Sequence, residues 1–475
     1  MGGRKVTVMK ITKKWVGRAL AVAALGAVAV GALPPTASNP AAAQTACADG
    51  LGSGGEFHPL TPTRVHDTRS GNNDPVKPGK KATSAAGNEY KVQLTGIGNV
   101  PANPADVLAV VMNVTVAEPE AQGNLSVRPS GAPFKDASLV NFLPGRNVPN
   151  LAIAGVGTDG KVTVRLFSSK PGRAHVVIDV SGWISTSCYA TPGARLVLQG
   201  PGRIVDTRNA NKPLGTAGDL VVKARGAVSK NPAFVVPNNP NVTALLLNVT
   251  AVNRQAGSTN TNLAVTPTQL PKGQRAETSS TNVIAGQVKA SMVIAPIGDD
   301  GNIYIRNLSG NTHVVVDVFG YFETRPADTT QTGRIIPLSA PFRAFDTRDK
   351  AFGSVPLGTG SKESWSFQAF AGSVTMPTAA GTVTLDQQSA LIGNLTGTQL
   401  GRVYPTVPVS TFMSAYPGGV SRPDSSNINV PEGENVPNMS LLRYGTEGGD
   451  PYVVQMYNHM GSLHYILDVY AIVLR

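Results

Sequence analysis

The sequence predicts an all-β chain: three tandem antiparallel β-sandwich domains, jelly-roll-like, behind a signal peptide. Three observations carry this. The 475 residues include 51 Gly and 36 Pro, and only 15% are charged while 41% are hydrophobic. That composition suits short strands joined by turns, excludes a coiled coil or large helical protein, and is too apolar for wholesale disorder. One set of landmarks recurs three times in the same order, which marks internal repeats. The apolar runs read as short strands, about seven or eight to a unit, and show almost no 3.6-residue pattern. A β-barrel is the runner-up architecture for each unit.

Taken in order, residues 1–43 read as a signal peptide. Arg4, Lys5, Lys10, Lys13, Lys14 and Arg18 precede the apolar run Ala19–Leu33, and Pro34-Pro35 and Ala41-Ala42-Ala43 follow it. At fifteen residues the run is short for a membrane span, and no later stretch in the mature chain approaches one. The n-region has no twin-arginine pair, which favours general secretion. Removing six cations and no anion takes the formal charge from +12 to +6. Gln44-Thr45-Ala46-Cys47 lacks the Leu of a lipobox, and the C-terminus carries no hydrophobic anchor. The expected product is extracellular, released or held at the cell surface without a covalent anchor.

A leader, 44–57, leads into repeat 1 (58–186), repeat 2 (195–324) and repeat 3 (335–475). Each repeat opens on Arg-x-x-Asp-Thr-Arg: Arg64, Asp67 and Arg69; Arg203, Asp206 and Arg208; Arg343, Asp346 and Arg348. An apolar run ending in Asn-x-Thr follows, at Asn113, Asn248 and Asn394. A Gly/Asp turn comes next, as at Gly157-Thr-Asp-Gly160, a hairpin signal. Each repeat closes on His-x-x-x-Asp: His175 and Asp179, His313 and Asp317, His464 and Asp468. A period near 140 residues is too long for a solenoid and fits a domain of seven or eight strands.

These motifs, with the ending His313-Val-Val-Val-Asp-Val-Phe-Gly-Tyr-Phe322, resemble a repeat of secreted proteins from high-GC Gram-positive bacteria. There it stands in tandem or is appended to exported hydrolases. The resemblance covers nearly all of the mature chain and is looser in repeat 3, where Asp468-Val-Tyr-Ala replaces the Gly-Tyr-Phe ending. It implies a non-catalytic extracellular module of undefined ligand, and supplies no activity.

Cys47 and Cys188 bracket repeat 1, and an exported chain meets oxidising conditions, so a disulfide is expected. Its loop of about 140 residues corresponds to roughly 5 kcal/mol in the chain-entropy model. In each repeat Arg, Asp and His should form one ion-pair and hydrogen-bond network where opening and closing strands meet, since buried charges need partners. Alternatives for the same residues are a sugar or anion site, a catalytic carboxylate pair, or a metal site. One His and one Asp supply at most two ligands, so no metal or cofactor is expected. The Asn positions suggest turn or edge hydrogen bonding.

Repeat 3 holds seven of eleven tyrosines and five of nine methionines. The bland reading is a diverged domain with an aromatic core. The functional reading is a recognition surface for a protein partner, with Trp365, Tyr404, Tyr416 and Tyr444 as its candidates and Ser414–Ser426 as its loop. Residues 47–334 carry a net charge of +8, against −2 from Ile335 onward. No zinc-protease, nucleophile-elbow or P-loop motif is present. Nucleic acid is disfavoured by the modest charge. The expected function is non-catalytic binding at the cell surface, to an anionic cell-wall polymer or glycan. The alternatives are a structural subunit of an extracellular layer or appendage, and a secreted hydrolase with an unfamiliar site.

Overall fold

The computed structural model describes residues 8–9, 54–69, 82–83, 88–168, 170, 172–187, 189–368, 376–378, 381–399 and 409–475. Residues 8–9 apart, the signal peptide lies outside them, as do Cys47, Cys188 and Tyr404. The chain is all-β. Among the described residues the helical segments are single 3-10 turns such as Pro104–Asp106 and Lys350–Phe352, and no helix is long and apolar enough to cross a membrane.

The repeats fold alike because the same run of strands recurs. In the first unit the inner sheet is ordered Phe57–Asp67, Arg173–Ser185, Val107–Ala117, Val148–Gly155. The outer sheet is ordered Glu89–Gln93, Lys161–Ser168, Gly123–Pro129, Val140–Phe142. In the second unit Ala194–Asp206, His313–Thr324, Val242–Val252 and Val288–Pro296 form the inner sheet. Asp219–Lys223, Asn302–Asn307, Thr261–Thr266 and Thr281–Val283 form its outer sheet. The third unit repeats this with Ile335–Asp346, His464–Leu474, Gln388–Thr398 and Asn435–Arg443. Its outer sheet is Lys362–Ser366, Asp450–Asn458, Thr411–Pro417 and Ile428–Val430.

Counted along the unit, the strand orders are 1-8-3-6 and 2-7-4-5, all antiparallel. This is the eight-stranded jelly roll, two sheets facing each other, and the barrel alternative is set aside.

The units do not stand apart on their short connections. Ala194 pairs with Phe57, so the inner sheets of the first two units run together, and Gly55 bridges to Ile335 of the third. The inner sheets face a common axis. Leu245, Leu247 and Val249 point into the second unit's own core. Their neighbours Ala244 and Leu246, with Met292 and Ile294, join Ala390, Ile392, Met439 and Leu441 of the third unit and the core of the first in one cluster. Burial on both faces explains why TALLLNVT is continuously apolar rather than alternating. Each large side chain there contributes roughly 2 kcal/mol by burial, so the shared cluster rivals the net stability of a whole domain.

At one end of the axis, equivalent positions of the three units meet as Glu56, Arg195 and Arg334. Arg195 Nε donates to Glu56 Oε1 at 2.9 Å and Arg334 Nη2 to the same oxygen at 3.2 Å. Both arginines are almost wholly buried. Arg195 also donates to the carbonyls of Thr330 (2.8 Å) and Asp328 (2.6 Å) in the connection between units two and three. The strands crowd so closely that Gly333, at φ +79°, has no room for a side chain: a Cβ would lie 2.5 Å from the Leu196 carbonyl oxygen.

Candidate functional site

The opening and closing strands of each unit are paired so that Arg64 lies opposite Asp179, Arg203 opposite Asp317, and Arg343 opposite Asp468. The Nε–Oδ1 bond is 2.9 Å in all three, and Nη2 reaches Oδ2 at 3.4, 3.3 and 3.3 Å. The second Asp of each unit is held by the Arg two residues on. Arg69, Arg208 and Arg348 reach Asp67, Asp206 and Asp346 through Nε at 3.0, 2.8 and 2.9 Å and through Nη2 at 2.9, 2.5 and 2.6 Å. The first Arg links the two pairs, as in Arg64 Nη1 to Asp67 Oδ2 at 3.2 Å.

The two carboxylates respond in opposite directions. Burial alone raises Asp67, Asp206 and Asp346, but the bonds and charge of the neighbouring Arg outweigh it and hold them below the ordinary value. Burial is the larger effect at Asp179, Asp317 and Asp468, which stay raised despite their Arg partners. Guanidinium groups hold both carboxylates of every repeat.

One part of the expected network is corrected. The histidines do not share it with the Asp residues of their motif. His175, His313 and His464 instead bond through Nδ1 to Thr68, Thr207 and Thr347 Oγ1, at 3.0, 3.1 and 3.2 Å. Each Thr Oγ1 also accepts a backbone N–H of the closing strand, such as Val176 N at 3.0 Å. On a strand, residues four apart share a face but lie some 13 Å apart, too far for both to reach one partner.

The Arg and Asn motifs reach across units. Arg64 Nη2 donates to Glu277 O of the second unit at 2.5 Å, Arg203 Nη2 to Asp424 O of the third at 2.8 Å, and Arg343 Nη1 lies 3.5 Å from Asp136 Oδ2 of the first. Asn113 Nδ2 donates to Ser279 O at 2.6 Å, Asn248 Nδ2 to Ser426 O, and Asn394 Nδ2 to Ser138 O at 2.6 Å. Unit one therefore holds unit two, two holds three, and three holds one: the ring closes. The Asn residues lie in mid-sheet facing a neighbour, not at a turn or free edge. Sequence reasoning found them by recurrence, but a partner in another unit leaves no local signal.

Two of the aromatic residues expected at a recognition surface, Trp365 and Tyr444, are corrected too, whereas Tyr416 is buried but lines a pocket of the third unit's outer sheet. Trp365 is 1% exposed, Tyr416 3% and Tyr444 7%. Trp365 stacks on Phe345 with ring centroids 4.6 Å apart and donates from Nε1 to Tyr465 OH at 2.5 Å. Trp365 and Tyr444 belong to the third unit's core. The far end of the loop beyond Tyr416 is a docking arm, since its Asp424 and Ser426 carbonyls meet the second unit, while Gly419 to Arg422 line that pocket.

Two of the three junctions leave room beside their arginines. Between units one and two lies a cleft of about 720 Å³, lined by Arg64, Asp67, Arg69, Arg275, Glu277 and Asn282 among others. Between units two and three lies one of about 470 Å³ that includes Arg203, Arg208, Arg254 and Asp424. Arg275 is exposed and has no ion pair among the described residues. Among those residues no group of three or more His, Asp or Glu side chains is placed to hold a metal ion. The clefts are thus polar, arginine-rich and open.

No family model matches the chain, and no curated protein matches it. Among solved structures it is similar to one described as the triple jelly roll fold and turret assembly in an archaeal virus, at 7% identity and TM-score 0.16, over 88% of this chain and 91% of that one. A second, Sulfolobus turreted icosahedral virus, is similar at 8% identity and TM-score 0.16, over 88% of this chain and 91% of that one. A third, the N-terminal tandem CBM22 domain of a Paenibacillus barcinonensis protein, is similar at 12% identity and TM-score 0.15, over 57% of this chain and 99% of that one.

Proposed function

We propose that the chain is an exported, non-catalytic binding protein of the bacterial cell surface, and that the junction clefts take an anionic envelope polymer. The observation that carries this is the cleft between units one and two, where Arg275 has no ion pair among the described residues and stands beside the paired Arg64 and Arg69. A guanidinium suits carboxylate and phosphate, which it binds through paired N–H bonds. The second cleft brings Arg254 to a similar place, so one chain offers two linked sites and gains from avidity. The +8 charge of residues 47–334 favours an anionic polymer at the first two units. A head-to-tail polymer is disfavoured, because the repeats use their complementary junction surfaces on one another.

The test is retention of the exported chain on purified cell envelope at about 0.05 M and about 0.5 M NaCl, either side of physiological ionic strength. Retention should fall at the higher salt. Arg254→Ala/Arg275→Ala should bind several-fold more weakly at low salt with its thermal midpoint unchanged. Retention that ignores both salt and the double substitution would remove the clefts from the account.

A further inference from the structure

The outer sheet of the third unit carries a pocket of about 570 Å³ distinct from the two junction clefts. Its floor is Gln455, 1% exposed, on the strand Asp450–Asn458. Gln455 Nε2 donates to Glu447 Oε1 at 2.8 Å. That bond leaves Gln455 Oε1 and Glu447 Oε2 buried with no hydrogen-bond partner among the described residues. A buried acceptor left without a donor is unfavourable, and a ligand that supplies one is favoured. Both residues line the pocket, so a small side-chain shift would offer a ligand two acceptors to which adjacent donors could bond.

The rest of the wall narrows the choice. The Tyr457 ring lines the pocket, with the Arg422 guanidinium 4.6 Å from its centroid. Arg422 is exposed, so it can leave the ring face to an incoming group. Phe412 lies 6.3 Å from Tyr457, and His459 stacks on Phe412 at 4.5 Å. This row leads from the pocket to the cleft between units two and three, which Phe412 and His459 also line. A metal cation is a poor fit, since Lys362 and Arg422 share the pocket and two oxygens fall short of a calcium shell. An anion is a poor fit because the unpartnered atoms are acceptors. A sugar fits both features: neighbouring hydroxyls donate to the two oxygens, and the C–H face of the ring lies on an aromatic side chain.

We infer that this pocket is a glycan site, taking a neutral sugar residue with two adjacent hydroxyls, the glycan extending along Tyr457, Phe412 and His459. The pocket shares no lining residue with either arginine cleft, and the extended glycan meets only the aromatic edge of the second.

Saturation-transfer NMR of the full exported chain with cello-, manno-, galacto- and arabino-oligosaccharides tests it. At least one series should receive saturation. Affinity for that series should fall about tenfold, the value of one good interaction, in both Tyr457→Ala and Glu447→Gln, and stay unchanged in Arg275→Ala. Glu447→Gln keeps the side-chain shape and decides the matter alone if Tyr457→Ala does not fold. No transfer from any series, or equal transfer in the wild type and Glu447→Gln, would overturn the inference. A calcium ion bound by Glu447 and Gln455 would overturn it as well. Loss of envelope retention in Arg254→Ala/Arg275→Ala with sugar binding intact would separate the two sites.

Discussion

Asp206 and Asp317 look interchangeable in the sequence, each an Asp in a recurring motif, yet the structure ranks them. Asp317 and its partner Arg203 have side chains 1% and 28% exposed, while Asp206 and its partner Arg208 are 6% and 46% exposed, so the second pair lies nearer to water. Breaking a buried pair strands a charge, at about 3–5 kcal/mol. A half-exposed guanidinium regains water, so its loss costs about 1 kcal/mol. Urea unfolding should therefore show Asp317→Ala far more destabilised than Asp206→Ala, and equal losses would mean that the two pairs are not ranked by burial. The charged residues of the motifs were legible because they recur. Glu56, Arg195 and Arg334 were not, since the first unit breaks the pattern with a Glu where the other two carry an Arg, and a match in two units alone does not stand out as a repeat motif.

The long apolar runs were read correctly as strands, but their length carried a second message. A strand with one face in water alternates; TALLLNVT and VLAVVMNVT do not, because the other face meets the neighbouring units. Aromatic count misled for a related reason. It does not distinguish the inward parity of Trp365 from the outward parity of Phe412 and Tyr457, which the alternation with Met413 and Met456 reveals. The rim strands show one gap in the ring. Asn150 Nδ2 donates to Asn394 Oδ1 at 2.8 Å and Asn150 Oδ1 accepts from Met439 N at 2.9 Å. Asn438 does the same with Asn248 at 3.1 Å and Met292 N at 2.9 Å. The equivalent residue of the second unit is Ser291, whose buried Oγ has no partner. Ser291→Asn should complete the set and raise stability by about 1 kcal/mol, the value of a typical net hydrogen bond. A lower midpoint in thermal unfolding would mean that this third rim position lacks the room of the other two.

At the scale of the whole molecule, three modules have become one body. Each repeat brings an arginine and an asparagine to its neighbour, and the third returns them to the first. The clefts proposed to bind polymer lie at these junctions, so the residues that close the ring also shape the binding surface. Calorimetric unfolding of the exported chain tests this most directly. One cooperative transition, with calorimetric and van't Hoff enthalpies equal, is the expected result, and Asn248→Ala should shift that transition downward without splitting it. Three transitions that resolve separately would contradict it, because the repeats would then be beads on a string rather than a ring.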